Sequence, residues 1–126
     1  MLRLFVFAVV LGEVSVAHAA PPPVGSDDWN VMAPYAEWIQ KQYLPDVRWC
    51  CSISDGRPVD AEIREDSTGS HWWAHVTPQH FPGEEDHWVK VPDDKVHTGA
   101  NPTGFPILWY NTVAKQPYCF APNGGV

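Results

Sequence analysis

The sequence predicts a small, mainly β domain of the α+β class, with one N-terminal helix packed on a small antiparallel sheet or partly open barrel. Three observations predict it. Val59, Ala61 and Ile63 alternate strictly with Asp60, Glu62 and Arg64, the period of a strand with one buried face. A single stretch of helical spacing precedes them, through Trp29, Met32, Tyr35, Ala36, Ile39, Tyr43 and Leu44. After them come short apolar runs bounded by Gly and Pro, ending on Cys119, the one distant cysteine able to pair with Cys50-Cys51.

The N-terminus reads as a targeting segment. Arg3 is followed by the apolar run Leu4 to Leu11, too short to span a bilayer. Ala17-His18-Ala19 then offers small residues for signal-peptide cleavage near Ala19. The expected organisation is a signal peptide at 1–19, a Pro-rich lead at 20–33, one small disulfide-bearing domain at 34–122 and a loose tail at 123–126. No later stretch is apolar enough for a membrane span. The implied location is the periplasm or the medium.

Cleavage removes one base and one acid, so the net charge stays at −7. An acidic domain with scattered bases is a poor binder of phosphate backbones, which disfavours nucleic acid and acidic membrane surfaces as partners. A mature chain this short buries only roughly 60–65% of its unfolded surface, so a covalent staple helps it.

Within the domain, Pro34 splits the helical window or opens the true helix, read from about Pro34 to Tyr43 and stopped by Pro45. The double cysteine follows. Successive side chains of an extended segment point to opposite faces, so only one of the two cysteines can face Cys119. Export favours that pairing. Cys51–Cys119 is the favoured bridge and Cys50–Cys119 the alternative. Either closes a loop of nearly seventy residues and contributes about 4 kcal/mol. The third cysteine is then buried as a small hydrophobe or available for a covalent dimer.

Asp55-Gly56 is a turn signal. The alternating strand then turns over Ser67-Thr68-Gly69-Ser70 into a second strand, His71 to Thr77, forming a hairpin. With a four-residue turn, Asp66 faces His71, Arg64 faces Trp73, Ile63 faces Ala74 and Glu62 faces His75. The inner face is Val59, Ala61, Ile63, Trp72, Ala74 and Val76. A third strand is expected over Asp86–Val91, a fourth over Ile107–Tyr110 and a closing one over Pro117–Ala121. Asn101-Pro102-Thr103-Gly104 is a compact turn.

Chemistry-bearing residues concentrate on the outer side of the hairpin and in the turn after it. His71 and His75 have the spacing of a helical metal pair, but on a strand they stand roughly 13 Å apart, too far for one ion. His80, Glu84, Asp86 and His87 add ligand types without the fixed spacing of a metal motif. No phosphate loop, serine elbow or zinc-protease helix is present. Seven tryptophans exceed what so small a core readily hides, and Trp73 is expected at the surface. Exposed indoles of exported domains stack on sugars or insert into partner pockets.

The arrangement of Glu37-Trp38-Ile39, Cys50-Cys51, Asp55-Gly56-Arg57-Pro58-Val59, Trp88-Val89-Lys90-Val91-Pro92, Asn101-Pro102-Thr103-Gly104 and Cys119-Phe120 resembles a group of small exported bacterial, alphaproteobacterial-like proteins of unassigned function. The resemblance spans about residues 35 to 122. Members of that group carry further cysteines near the positions of Gly56 and of Leu108 or Trp109, where this chain has none. The resemblance implies a bacterial, exported, disulfide-bearing domain and no particular activity.

The expected function is a non-catalytic binding or envelope-associated module. It uses Glu62, Arg64, His71, Trp73 and His75 to meet a sugar or peptide, without a cofactor. The alternative is a metal-binding or thiol-dependent enzyme built on His71, His75, His80 and His87.

Overall fold

The computed structural model describes residues 22–44, 46, 50 and 56–123. The expected leader, Pro45, Trp49, Cys51, Asp55 and residues 124–126 lie outside the described residues.

The helical segment starts earlier than its spacing suggests. Ser26 Oγ accepts from the Trp29 amide at 3.3 Å, and Asp27 and Asp28 fill the first turn, where carboxylates suit the positive helix end. α1 (Asp27–Met32) passes through a 3-10 turn (Ala33–Tyr35) into α2 (Ala36–Ile39). Pro34 causes the break, because it has no amide hydrogen to continue the helical ladder. The expected helix at Pro34–Tyr43 is thus corrected to a broken segment over 27–39. Met32 is 1% exposed and Pro22 is buried, so these parts of the expected lead belong to the packed domain.

Among the described residues six strands follow: β1 (Gly56–Pro58), β2 (Ala61–Asp66), β3 (Gly69–Val76), β4 (His87–Lys90), β5 (Ile107–Asn111) and β6 (Gln116–Ala121). They form two antiparallel three-stranded sheets, ordered β1-β5-β6 and β2-β3-β4. The fold is therefore α+β and mainly β, without a closed barrel. Among the described residues no helix is long and apolar enough to cross a membrane.

The layers follow from alternation along β5 and β6. Ile107, Trp109, Cys119 and Ala121 pack with Met32, Ile39, Leu44 and Cys50 beneath the helical segment. Leu108, Tyr110 and Phe120 point the other way and pack with Val59, Ala74, Val76, Phe81 and Val91. The β1-β5-β6 sheet is thus covered on both sides, by helix and by the β2-β3-β4 sheet. A strand so placed needs an unbroken apolar run, and Ile107-Leu108-Trp109-Tyr110 supplies it. Gly56 lets β1 approach: a Cβ there would stand 3.0 Å from Ile107 Cγ2 and 3.1 Å from the Trp109 ring.

The bridge joins Cys50 to Cys119 with their Cα atoms 5.5 Å apart. The favoured Cys51–Cys119 pairing is corrected to its alternative. Cys119 faces the helical layer, and Cys50 packs in that same cluster. With both partners in one chain, a covalent dimer through the third cysteine finds no support.

The β2–β3 hairpin keeps its expected faces but not its expected partners. Asp66 pairs with Gly69, Arg64 with His71, Ile63 with Trp72, Glu62 with Trp73 and Ala61 with Ala74. The turn is tighter because the Asp66 carboxylate accepts from the Thr68 amide at 2.7 Å and from its hydroxyl, and Gly69 supplies a φ of 120°. The resulting slip is two residues, so every side chain stays on its side of the sheet. Ile63 lies on the inner side of an edge strand and remains 57% exposed.

The Asn101-Pro102-Thr103-Gly104 turn is a buried polar staple. Asn101 Nδ2 donates to the carbonyls of Phe105 at 2.9 Å and Pro122 at 3.0 Å. Its Oδ1 accepts from the Thr103 amide at 3.0 Å and hydroxyl at 2.6 Å. One side chain so ties the turn to the end of β6.

Two stability predictions follow from this architecture. The double substitution Cys50→Ala/Cys119→Ala lowers the unfolding free energy by about 4 kcal/mol in urea titration, whereas Cys51→Ala leaves the Cys50–Cys119 peptide in the non-reduced digest. Asn101→Ala strands buried groups in the turn and at the end of β6 and costs about 2 kcal/mol by the same titration; a cost under a few tenths would mean that the staple is dispensable.

Candidate functional site

Register decides which side chains meet on the outer side of the β2-β3-β4 sheet. β3 and β4 pair Trp73 with Lys90 and His75 with Trp88. Glu62, Arg64 and Asp66 of β2, His71, Trp73 and His75 of β3, and Trp88 and Lys90 of β4 therefore share one face.

Arg64 organises the middle of that face. Its guanidinium carbon lies 4.7 Å from the Trp73 ring centroid and 5.0 Å from that of Trp88, within cation–π range of both. Its Nε donates to Glu62 Oε1. The His75 ring stacks on Trp88, with centroids 4.6 Å apart and planes 3° from parallel. His75 Nε2 lies 2.7 Å from Asp86 Oδ1. Both indoles are half-buried, and the Arg64 side chain is 40% exposed.

His71 stands at the far end of the face and is nearly buried. Its Nδ1 is 2.9 Å from Asp93 Oδ1, and its Nε2 is 2.7 Å from Thr68 Oγ1 and 3.4 Å from Asp66 Oδ1. Lys90 Nζ donates to Asp66 Oδ2 at 2.9 Å. The Thr68 hydrogen bond, then the Lys90 hydrogen bond, hold the Asp66 carboxyl well below the usual carboxylate range.

The structure thus brings together Glu62, Arg64, Trp73 and His75, with His71 on the same face. The Asp66–His71 contact survives the change of register, while the expected Glu62–His75 pair gives way to Asp86–His75. Trp88, Lys90 and Asp93 were not singled out for this face by the sequence. The Trp88-Val89-Lys90 alternation shows that Trp88 and Lys90 share a side, but the long β3–β4 connection hides which side until β4 is paired.

The other two expected ligands go elsewhere. His80 Nδ1 lies 2.9 Å from both Asp28 oxygens. The Arg57 side chain, 8% exposed, donates from Nε to the His80 carbonyl at 3.1 Å and approaches Asp28 Oδ2 at 4.0 Å. This cluster fastens α1 and β1 to the β3–β4 connection. His87 Nδ1 contacts the Glu85 carbonyl at 2.6 Å, and its Nε2 lies 3.4 Å from the Tyr110 hydroxyl. Among the described residues no group of three or more His, Cys, Asp or Glu side chains is placed to hold a metal ion. The four histidines do not converge.

A second polar cluster sits on the side of β5 away from the helix. The Glu84 carboxylate is 4% exposed and pairs with Lys115. Burial, and then the Glu84 charge, push the Tyr110 hydroxyl above its ordinary pKa of 10.0.

His97 adds a pH response of the fold. Its Nδ1 is buried and, among the described residues, has no hydrogen-bond partner. Burial lowers its pKa below the ordinary 6.5, outweighing a backbone hydrogen bond with Gly99 that acts the other way. The unfolded chain therefore takes up a proton at His97 before the folded chain does. Stability is full above pH 6.5 and declines as pH falls from there towards the folded-state pKa. A His97 ring titration by NMR with its midpoint at or above 6.5 would contradict this; His97→Phe flattens that part of the stability profile.

No family model, curated protein or solved structure matches the chain.

Proposed function

We propose that this chain is a non-catalytic binding or envelope-associated module that acts outside the cytoplasm, and that it meets its ligand on the outer face of the β2-β3-β4 sheet. The observation that carries the reading is Arg64 held against Trp73 and Trp88 with 40% of its side chain exposed. Aromatic and arginine side chains gathered at one place on a surface are the residues that dominate recognition energies. They lie on a regular sheet rather than a loop, which holds them in place before a ligand arrives.

Export is supported by the leader pattern and is compatible with the Cys50–Cys119 bridge, since oxidising compartments preserve such bonds. The resemblance to small exported bacterial domains points the same way. The ligand belongs among envelope or extracellular sugars and peptides.

The test is a screen of the purified oxidised protein against neutral sugars, acidic sugars and envelope peptides, read by tryptophan fluorescence and by amide chemical shifts. The expected outcome is a ligand whose shifts map to Trp73, His75, Trp88 and Arg64. Trp73→Ala and Trp88→Ala each then weaken binding by about tenfold or more, with far-ultraviolet dichroism unchanged. A ligand whose shifts instead centre on Glu84, Tyr110 and His87 would overturn the assignment of the face.

A further inference from the structure

The outer face carries one charged group whose hydrogen-bonding capacity the fold leaves open. A guanidinium has five donors in a rigid plane. Arg64 uses Nε on Glu62, and among the described residues its Nη1 and Nη2 meet no acceptor. The group is not loose, because two indoles and one carboxylate contact it at once. An arginine already confined in this way loses less freedom when it binds a second partner. Arg57, the buried arginine, is by contrast taken up by backbone carbonyls and Asp28.

We infer that Arg64 is the recognition group for a single carboxylate carried on a hydroxyl-rich ring, an acidic sugar of the uronic acid type. The inference rests on the outer face being the binding surface. The two Nη groups match the two oxygens of a carboxylate in a forked pair. The surroundings narrow the class further. Glu62, Asp66 and the neighbouring Asp86 and Asp93 line or flank the same face, and the whole chain carries −7. A polyanion is repelled by that field. A cationic ligand finds the position over the two rings already filled by Arg64. A sugar ring with one carboxylate escapes both objections: its acid group takes the open fork, and its hydroxyls donate to Glu62 and Asp86.

The experiment uses the oxidised, isotope-labelled protein and a glucuronate-containing disaccharide, compared with its carboxyl-reduced neutral counterpart at matched ionic strength. The reporters are the Arg64 Nε–H and the indole N–H groups of Trp73 and Trp88. Saturable shifts at all three are expected with the acidic disaccharide, with the neutral one at least about tenfold weaker. Arg64→Lys keeps the charge but loses the fork, and weakens binding by about tenfold.

Equal binding of both disaccharides, unaffected by Arg64→Lys, overturns the carboxylate assignment while leaving the outer face as the binding surface. A peptide that binds the fork more tightly than the sugar, and loses binding on C-terminal amidation, overturns the sugar assignment alone. Absence of shifts at all three reporters overturns the inference. If a ligand from the wider screen then maps away from this face, the underlying reading falls with it.

Discussion

The structure depends on one sheet being buried from both sides. Strands β5 and β6 have no solvent face: Ile107, Trp109, Cys119 and Ala121 are closed off by the helical segment. Leu108, Tyr110 and Phe120 are closed off by the second sheet. For a chain this short, that is how one strand pair builds two apolar clusters from few residues. It also explains where the disulfide lies. Cys119 sits on the central layer and Cys50 on the segment that follows the helix, so the bond crosses between layers. The outer side of β2-β3-β4 is a free sheet surface, and the two half-buried indoles and the open arginine donors meet there.

Polar groups do the joining where apolar layers end. Asn101 closes the connection to β5 against the end of β6. Arg57, Asp28 and His80 fasten the helical segment to a distant turn. Glu84 and Lys115 connect the β3–β4 loop to the β5–β6 turn. Magnitudes account for the last pair. Lys115 adopts φ 57°, among the described residues the one non-glycine with positive φ, at a cost of roughly 1–2 kcal/mol. Leaving the nearly buried Glu84 charge without its partner costs about 3–5 kcal/mol. A lysine at that strained position is therefore favoured over a glycine that would relax the backbone and leave the carboxylate alone.

What was legible in the sequence follows the strength of the local signal. The alternation through Ala61, Ile63 and Arg64 assigned the faces of the hairpin correctly, because faces depend only on a period of two. The cross-strand partners were displaced by two residues, since they depend on the Asp66 side chain reaching back to Thr68, which alternation does not encode. The helix was misplaced for a related reason: the apolar spacing continues past Ile39, while Pro34 and the Ser26 cap set the real limits. The choice between Cys50 and Cys51 was a question of which neighbour faces the central sheet, and periodicity cannot answer it without a fixed strand origin. At the site, Glu62, Arg64, Trp73 and His75 were legible from the hairpin. Trp88 and Lys90 reached them only through the pairing of β4, across a connection whose length conceals register.

The Arg64 array contributes little to folding. Two exposed cation–aromatic contacts are worth about 0.5–1 kcal/mol each, and an exposed ion pair with Glu62 adds less than about 1 kcal/mol. Against this stands about 2 kcal/mol of rotamer entropy for a confined arginine. The balance is close to neutral, so stability does not account for the array. Arg57 is the opposite case: its charge is buried, compensated on several sides, and expensive to disturb. The two arginines divide the molecule's polar chemistry. One holds layers together and has its donors occupied; the other is held in place by its neighbours and keeps donors open to solvent, the arrangement that recognition requires.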